Sequence, residues 1–165
     1  DQKSELDAML EDCVRKGVEP KPDVAIPQDI PETMLARRNA VHAKLKEYLS
    51  PPEPGMVYSL DMFRFFDAPA AIIVWVEQSM GDYSTFDAGL FVQTLMLSAV
   101  NEGLGTCAER SVILFSEQIR EFLNIPPSKK LLLGLAVGYP DPDAPVNSAR
   151  TDRGDVDEFT TWLGV

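Results

Sequence analysis

Apolar positions recur at helical spacing at the start of the chain, where "DQKSELDAMLEDCVRKG" puts Leu6, Met9, Leu10 and Val14 on one face and predicts an amphipathic helix. The period stops at Val18. From there to Pro31 the text "VEPKPDVAIPQDIP" carries four prolines, which exclude a regular helix and predict an extended surface connection. Helical spacing returns in "ETMLARRNAVHAKLKEYL" through Met34, Leu35, Val41, Leu45 and Leu49, and "SPPEPG" is expected to end it.

The second half is more apolar. "FFDAPAAIIVWVE" is a β-branched run suited to a buried strand at about 70–77, with Pro69 tolerable only near its start. "STFDAGLFVQTLMLSAVNEG" then predicts a helix with Ser84 or Thr85 as N-cap, Asp87 in the first turn, and a close at Asn101 and Gly103. Phe86, Leu90, Phe91, Val92, Leu95, Met96, Leu97 and Val100 leave that helix almost no polar face, so it is expected to be buried on most sides. In so small a chain such burial calls for a partner subunit. Ser116 is expected to cap a shorter amphipathic helix through Ile119, Phe122 and Leu123, stopped by "IPP", before a second buried strand in "KLLLGLAVGYP". Helix and strand alternate, which predicts a mixed α and β fold.

Composition narrows the partners. The 165 residues are 45% apolar, enough for one compact domain. Fifteen Lys plus Arg against 26 Asp plus Glu give a net charge of -11, which repels phosphate backbones and anionic lipid and argues against a nucleic-acid or membrane role. The apolar run Ala68–Val76 falls far short of the roughly 20 residues that span a bilayer. Cys13 and Cys107 are too few for a disulfide framework or a zinc site, so a reducing, cytoplasmic setting is expected.

The search for catalytic side chains returns little. His42 is the one histidine, without a nucleophile motif around it, and reads as a solvated helix residue. No His, Cys, Asp and Glu cluster has metal-ligand spacing, so no metal is expected, and no Gly-rich phosphate loop of the common patterns occurs. Chemistry, if present, is expected to reside in a bound organic cofactor. In "GLGTCAERSV", Gly103 and Gly105 give backbone freedom, while Ala108 and Ser111 leave room for a flat ligand against main-chain amides. Arg150 and Arg153, in an otherwise acidic tail, offer guanidinium forks suited to a phosphate. The plainer alternatives are glycines that only cap a helix and arginines that only balance neighbouring carboxylates.

Taken in order, "FFDAPAAIIV", "DAGLFVQTLMLSAVNEGLGTC", "IREFLNIP" and "LLLGLAVGYPDPDAPVNSARTDRGDVDEF" resemble the FMN-dependent nitroreductase family over roughly residues 65–160. The resemblance implies an α+β fold, a nitroreductase-like α/β sandwich with a central sheet flanked by helices. It also implies a homodimer with the helix at about 86–101 in the interface and two flavin sites shared between chains. By the same resemblance, the backbone of Ala108, Glu109 and Arg110 would lie beside the flavin ring with an amide near its N5, and Arg153, with Arg150, would hold the FMN phosphate. Electrons would pass from NADH or NADPH to a nitroaromatic, quinone or similar acceptor in a ping-pong cycle, with no catalytic side chain required. Cys107 is expected to pack as a small buried residue. The proline-rich segment and the helix after it look like that family's variable lid.

Two departures from the family pattern stand out. The arginine- and serine-rich opening motif that grips phosphate in that family does not precede these segments, so residues 1–165 are expected to be one nitroreductase-like domain that is N-terminally incomplete. Glu109 and Arg110 stand where relatives more often have neutral residues. The alternative function is accordingly a catalytically impaired, dimeric binding module on the same scaffold.

Overall fold

A ten-residue strand, β3 (Lys129–Gly138), forms the middle of an antiparallel sheet ordered β1-β3-β2, with β1 (Ala70–Glu77) and β2 (Gly105–Glu109) as its edges. The structure is a computed structural model that describes residues 1–48 and 59–164. Leu49 and the "SPPEPG" stop fall outside the described residues. The chain divides into two units, one holding residues 1–28 and 59–140 and the other 29–48 and 141–164.

In the first unit the sheet separates two helical layers. On one face lie α1 (Gln2–Arg15) and α4 (Ser116–Leu123); on the other lies α3 (Gly81–Asn101). Asp1 caps α1 by accepting from the Ser4 N–H at 2.9 Å; of the predicted face Leu6 and Leu10 are buried and Met9 and Val14 partly so, with Cys13 buried beside them. They meet Phe63, Val112, Ile113, Phe115, Ile119 and Leu131 in one core. Complete burial of a side chain such as Leu10 or Ile119 contributes about 1.5–3 kcal/mol.

Gly134 of β3 is needed for close approach. A Cβ there would stand 2.5 Å from Val112 Cγ2 and 2.8 Å from Phe65 Cε1, so only glycine lets these side chains lie on the strand. Phe65 reaches that place through an unusual corner. Phe65, Phe66 and Asp67 all adopt left-handed backbone, at φ 54, 51 and 58°, just before β1. Arg64 holds the corner by donating to Asp67 Oδ1 (3.1 Å), Asp61 Oδ1 (2.6 Å) and Glu11 Oε1 (3.0 Å).

The proline-rich segment forms no regular helix, as expected, and its first part is tied down. The Lys21 N–H donates to the Leu114 carbonyl at 2.8 Å, and the Asp23 carboxylate accepts from both the Arg120 guanidinium and the Leu131 N–H.

Two sequence expectations need correction here. α3 begins at Gly81, so Asp82 rather than Asp87 lies in its first turn, and neither Ser84 nor Thr85 is the cap; Ser84 Oγ instead donates back to the Gly81 carbonyl. Ser116 starts α4 but donates to the Ile113 carbonyl, because a 3-10 turn, Val112–Phe115, already leads into the helix. The chain itself does not cover α3, for which the sequence called for a partner subunit. Only Val92 and Ala99 are buried, while Phe86, Leu90, Phe91, Leu97 and Val100 are each more than half exposed.

In the second unit α2 (Glu32–Leu45) buries no residue. His42 is exposed, as expected. Two exposed ion pairs, Arg37 with Glu158 and Lys44 with Asp152, connect α2 to the tail, and such pairs contribute little in water.

Candidate functional site

The segment "GTCAE" forms the five-residue edge strand β2 rather than a bare connection between elements. Gly103, at φ 74°, ends α3 in a backbone region that favours glycine, and the chain then runs straight into β2. β2 pairs only with β3, in a register that sets Ala108 opposite Leu135 and Glu109 opposite Gly134. Alternate backbone N–H and C=O groups of an edge strand point away from the sheet, so β2 offers main-chain donors along its outer side.

Residues along this edge differ in exposure. Cys107, Ala108 and Arg110 are exposed, and Glu109 between them is buried, at 4%. The expectation that Cys107 packs as a buried residue is therefore corrected: its thiol is free and exposed in this chain, because β2 is an edge. With only a methyl group at 108, the edge is sterically open to a flat molecule.

Glu109 was singled out for its backbone, yet its side chain is the more unusual feature. Neither carboxyl oxygen has a hydrogen-bond partner among the described residues. Burial pushes the carboxyl up to about 7, with Lys3 drawing it down and Asp7 adding to the rise. Cys107 and Glu109 point to the same face of β2, which Cys107 shares with Ala136 of the core across the ladder, a placement that only the strand register reveals.

Arg150 and Arg153 lie in the second unit. Both are exposed, and neither has a carboxylate partner among the described residues. Arg150 donates to the Asn147 carbonyl at 2.6 Å; Arg153 donates to the hydroxyl of Thr151 at 2.7 Å and to the carbonyls of Thr151 and Asp152. Each guanidinium has five N–H donors, so each retains donors for an anion. Among the described residues no group of three or more His, Cys, Asp or Glu could hold a metal ion. An apolar groove of about 510 Å³ between β1 and α3, lined by residues such as Ile72, Val74, Ala88 and Phe91, includes none of the predicted site residues.

The sheet with helices on both faces defines an α+β fold of the kind expected. Residues 29–139 match the Nitroreductase family, well over half of the chain, and the chain belongs to that family. Over 102 residues it is 40% identical to a 4-nitrobenzoate reductase of Pseudomonas putida, a match covering 62% of this chain and 45% of that protein. It is 28% identical over 141 residues to a nitrobenzene nitroreductase of Ectopseudomonas oleovorans, covering 83% of this chain and 62% of that protein. The FMN and NADPH-dependent nitroreductase NfnB from Sphigopyxis sp. strain HMH superposes with a TM-score of 0.88 at 25% identity, over 100% of this chain and 77% of that one. The chain spans about half the length of the first two curated relatives it matches.

Proposed function

We propose that this chain forms part of an FMN-dependent oxidoreductase that takes electrons from NAD(P)H and delivers them to a nitroaromatic acceptor. The observation that carries the reading is the 40% identity to a 4-nitrobenzoate reductase over 102 residues. Quinones are further acceptors, and the two substrates react in turn in a ping-pong cycle. The enzyme works in the cytoplasm, where Cys13 and Cys107 stay reduced.

The residues present suit FMN in both of its parts. A flat ring needs an unobstructed backbone edge, and β2 is an edge strand whose Ala108 is exposed. A phosphate needs cationic forks without carboxylates on them, a description that fits Arg150 and Arg153. In this reading the backbone of Ala108, Glu109 and Arg110 lies along the ring and orients it, and Arg150 and Arg153 hold the phosphate. FMN, when bound, supplies the redox chemistry by accepting a hydride equivalent from the nicotinamide and passing electrons to the acceptor. The protein's own part is to bind, orient and exclude water, with no side chain assigned as nucleophile or general acid.

The exposed apolar face of α3 supports assembly as a homodimer. Five large apolar side chains more than half exposed on one 21-residue helix form a surface that a monomer in water does not maintain, and a second copy of the helix covers it. The test of the function is direct. The purified whole protein is expected to be yellow and to oxidise NADPH when given 4-nitrobenzoate. A colourless protein that stays inactive with added FMN overturns the reading.

A further inference from the structure

Arg110 is the first residue beyond β2 and the last exposed one before the chain enters the core. On one side of it Glu109 is buried and pairs with Gly134 across the ladder. On the other side Val112, Ile113, Leu114 and Phe115 are all buried in the 3-10 turn, and the Leu114 N–H donates to the Ser111 carbonyl at 3.1 Å. The backbone at Arg110 is therefore held from both directions, while its side chain stands in solvent.

The guanidinium of Arg110 has neither a hydrogen-bond acceptor nor a carboxylate partner among the described residues. Other cations around the sheet are taken up: Asp7 holds Lys3, Asp23 holds Arg120, Glu77 holds Lys129, and three carboxylates surround Arg64. With 26 Asp plus Glu against 15 Lys plus Arg, acids are in excess. A guanidinium that meets none of them keeps its donors for an anion from outside the chain.

We propose that Arg110 is a specificity-determining residue that grips the carboxylate of the electron acceptor, so that aromatic carboxylates are taken in preference to neutral nitroarenes. This role depends on the proposed flavin function, in which the backbone of Ala108, Glu109 and Arg110 lies along the ring, and it sets the acceptor class for that same site. An acceptor must bring its reducible group to the ring and leave its opposite end outward. A side chain rooted at the ring edge with its head in solvent meets that outward end. The guanidinium fork binds a carboxylate through two parallel N–H···O bonds, which an ammonium does not supply. The net charge of -11 repels anions at long range, so an anionic acceptor needs a local cation and a neutral one does not. The phosphates of NADPH are the competing occupant of the same guanidinium.

The test reads binding alone. Isothermal titration calorimetry on the FMN-loaded whole protein, without reductant, compares benzoate with benzamide, its neutral isostere, in the wild type, Arg110→Gln and Arg110→Lys. The wild type is expected to prefer benzoate. Arg110→Gln is expected to lower the benzoate-to-benzamide affinity ratio about ten- to a hundredfold, and Arg110→Lys, which keeps the charge without the fork, to lower it less. A wild type without preference for benzoate, an unchanged ratio in Arg110→Gln, or an equal weakening of NADP+ overturns the proposal. Should Arg110→Gln fail to fold, Arg110→Lys decides: a lower ratio upholds the role and an unchanged one removes it. FMN is titrated into the same proteins. If the wild type binds none, the flavin function falls and the role of Arg110 with it, whereas FMN bound with an unchanged ratio removes the role of Arg110 alone.

Discussion

Asp23 and Arg120, 97 residues apart, form an ion pair in which the same Asp23 oxygen also accepts the backbone N–H of Leu131 at 2.7 Å. A proline-rich segment without regular structure is thereby fixed to α4 and to the start of β3. Both side chains are mostly buried, at 17% and 21% exposure, so the pair is shielded from solvent. Replacing Asp23 by Ala strands both donors and is expected to cost about 2–4 kcal/mol, lowering Tm by roughly 5–15 °C in a chain of this size. Thermal unfolding followed by circular dichroism checks this.

Global stability is expected to depend on pH through Glu109. Its folded value, about 7, lies above the ordinary 4.5, so the native state binds a proton that the unfolded chain releases. Its contribution is fully present below pH 4.5 and is lost as pH rises to 7, a total of roughly 3 kcal/mol. Glu109→Gln should therefore match the wild type near pH 4.5 and exceed it at pH 8 by a difference of that order. Urea unfolding at the two pH values measures it.

Gly134→Ala is expected to destabilise the sheet. The added methyl would overlap Val112 and the Phe65 ring, both of which are fully buried and cannot turn away. Forced repacking of this kind costs about 1–3 kcal/mol, seen as a lower midpoint in denaturant at unchanged slope.

Arg153→Ala separates a phosphate-holding role from a structural one. Loss of a charge-assisted hydrogen bond, about 1.5–3 kcal/mol, should weaken FMN by roughly ten- to a hundredfold and leave riboflavin, which lacks the phosphate, nearly unaffected. Equal losses for both ligands would assign Arg153 to the tail's own backbone, to which it already donates. Fluorescence titration of the two flavins distinguishes these outcomes.

Leu97→Glu tests the role of α3. Leu97 is 62% exposed, so a charge there disturbs little within the chain. In a dimer joined through α3 the same charge would be buried twice, and light scattering is expected to show a monomer with an intact circular dichroism spectrum.

Much of the fold was legible because the large elements carry strong periodicity. β1 at 70–77, the inner face of α1 and the β3 run all fall where their apolar patterns put them. β2 was not legible, since five small and polar residues become a strand only by pairing with β3. The apolar character of α3 was legible, and its exposure within the single chain accords with the expectation that a partner subunit covers it. The burial of Glu109 was not legible. A charge in a short edge strand suggests solvent, and only the folded chain shows the carboxyl buried, at 4% exposure. Nor do the aromatic residues Phe65 and Phe66 suggest left-handed backbone.

That corner has a consequence for redesign. Phe65, Phe66 and Asp67 each occupy a conformation that costs an L-residue about 1–2 kcal/mol, and Arg64 and the buried Phe65 ring offset the sum. Phe66 alone among them contributes neither a core ring nor a ligand to the arginine, and it is 43% exposed. The most conspicuous aromatic of the corner is thus its most dispensable side chain, and a glycine in its place would relax the backbone while leaving both anchors intact.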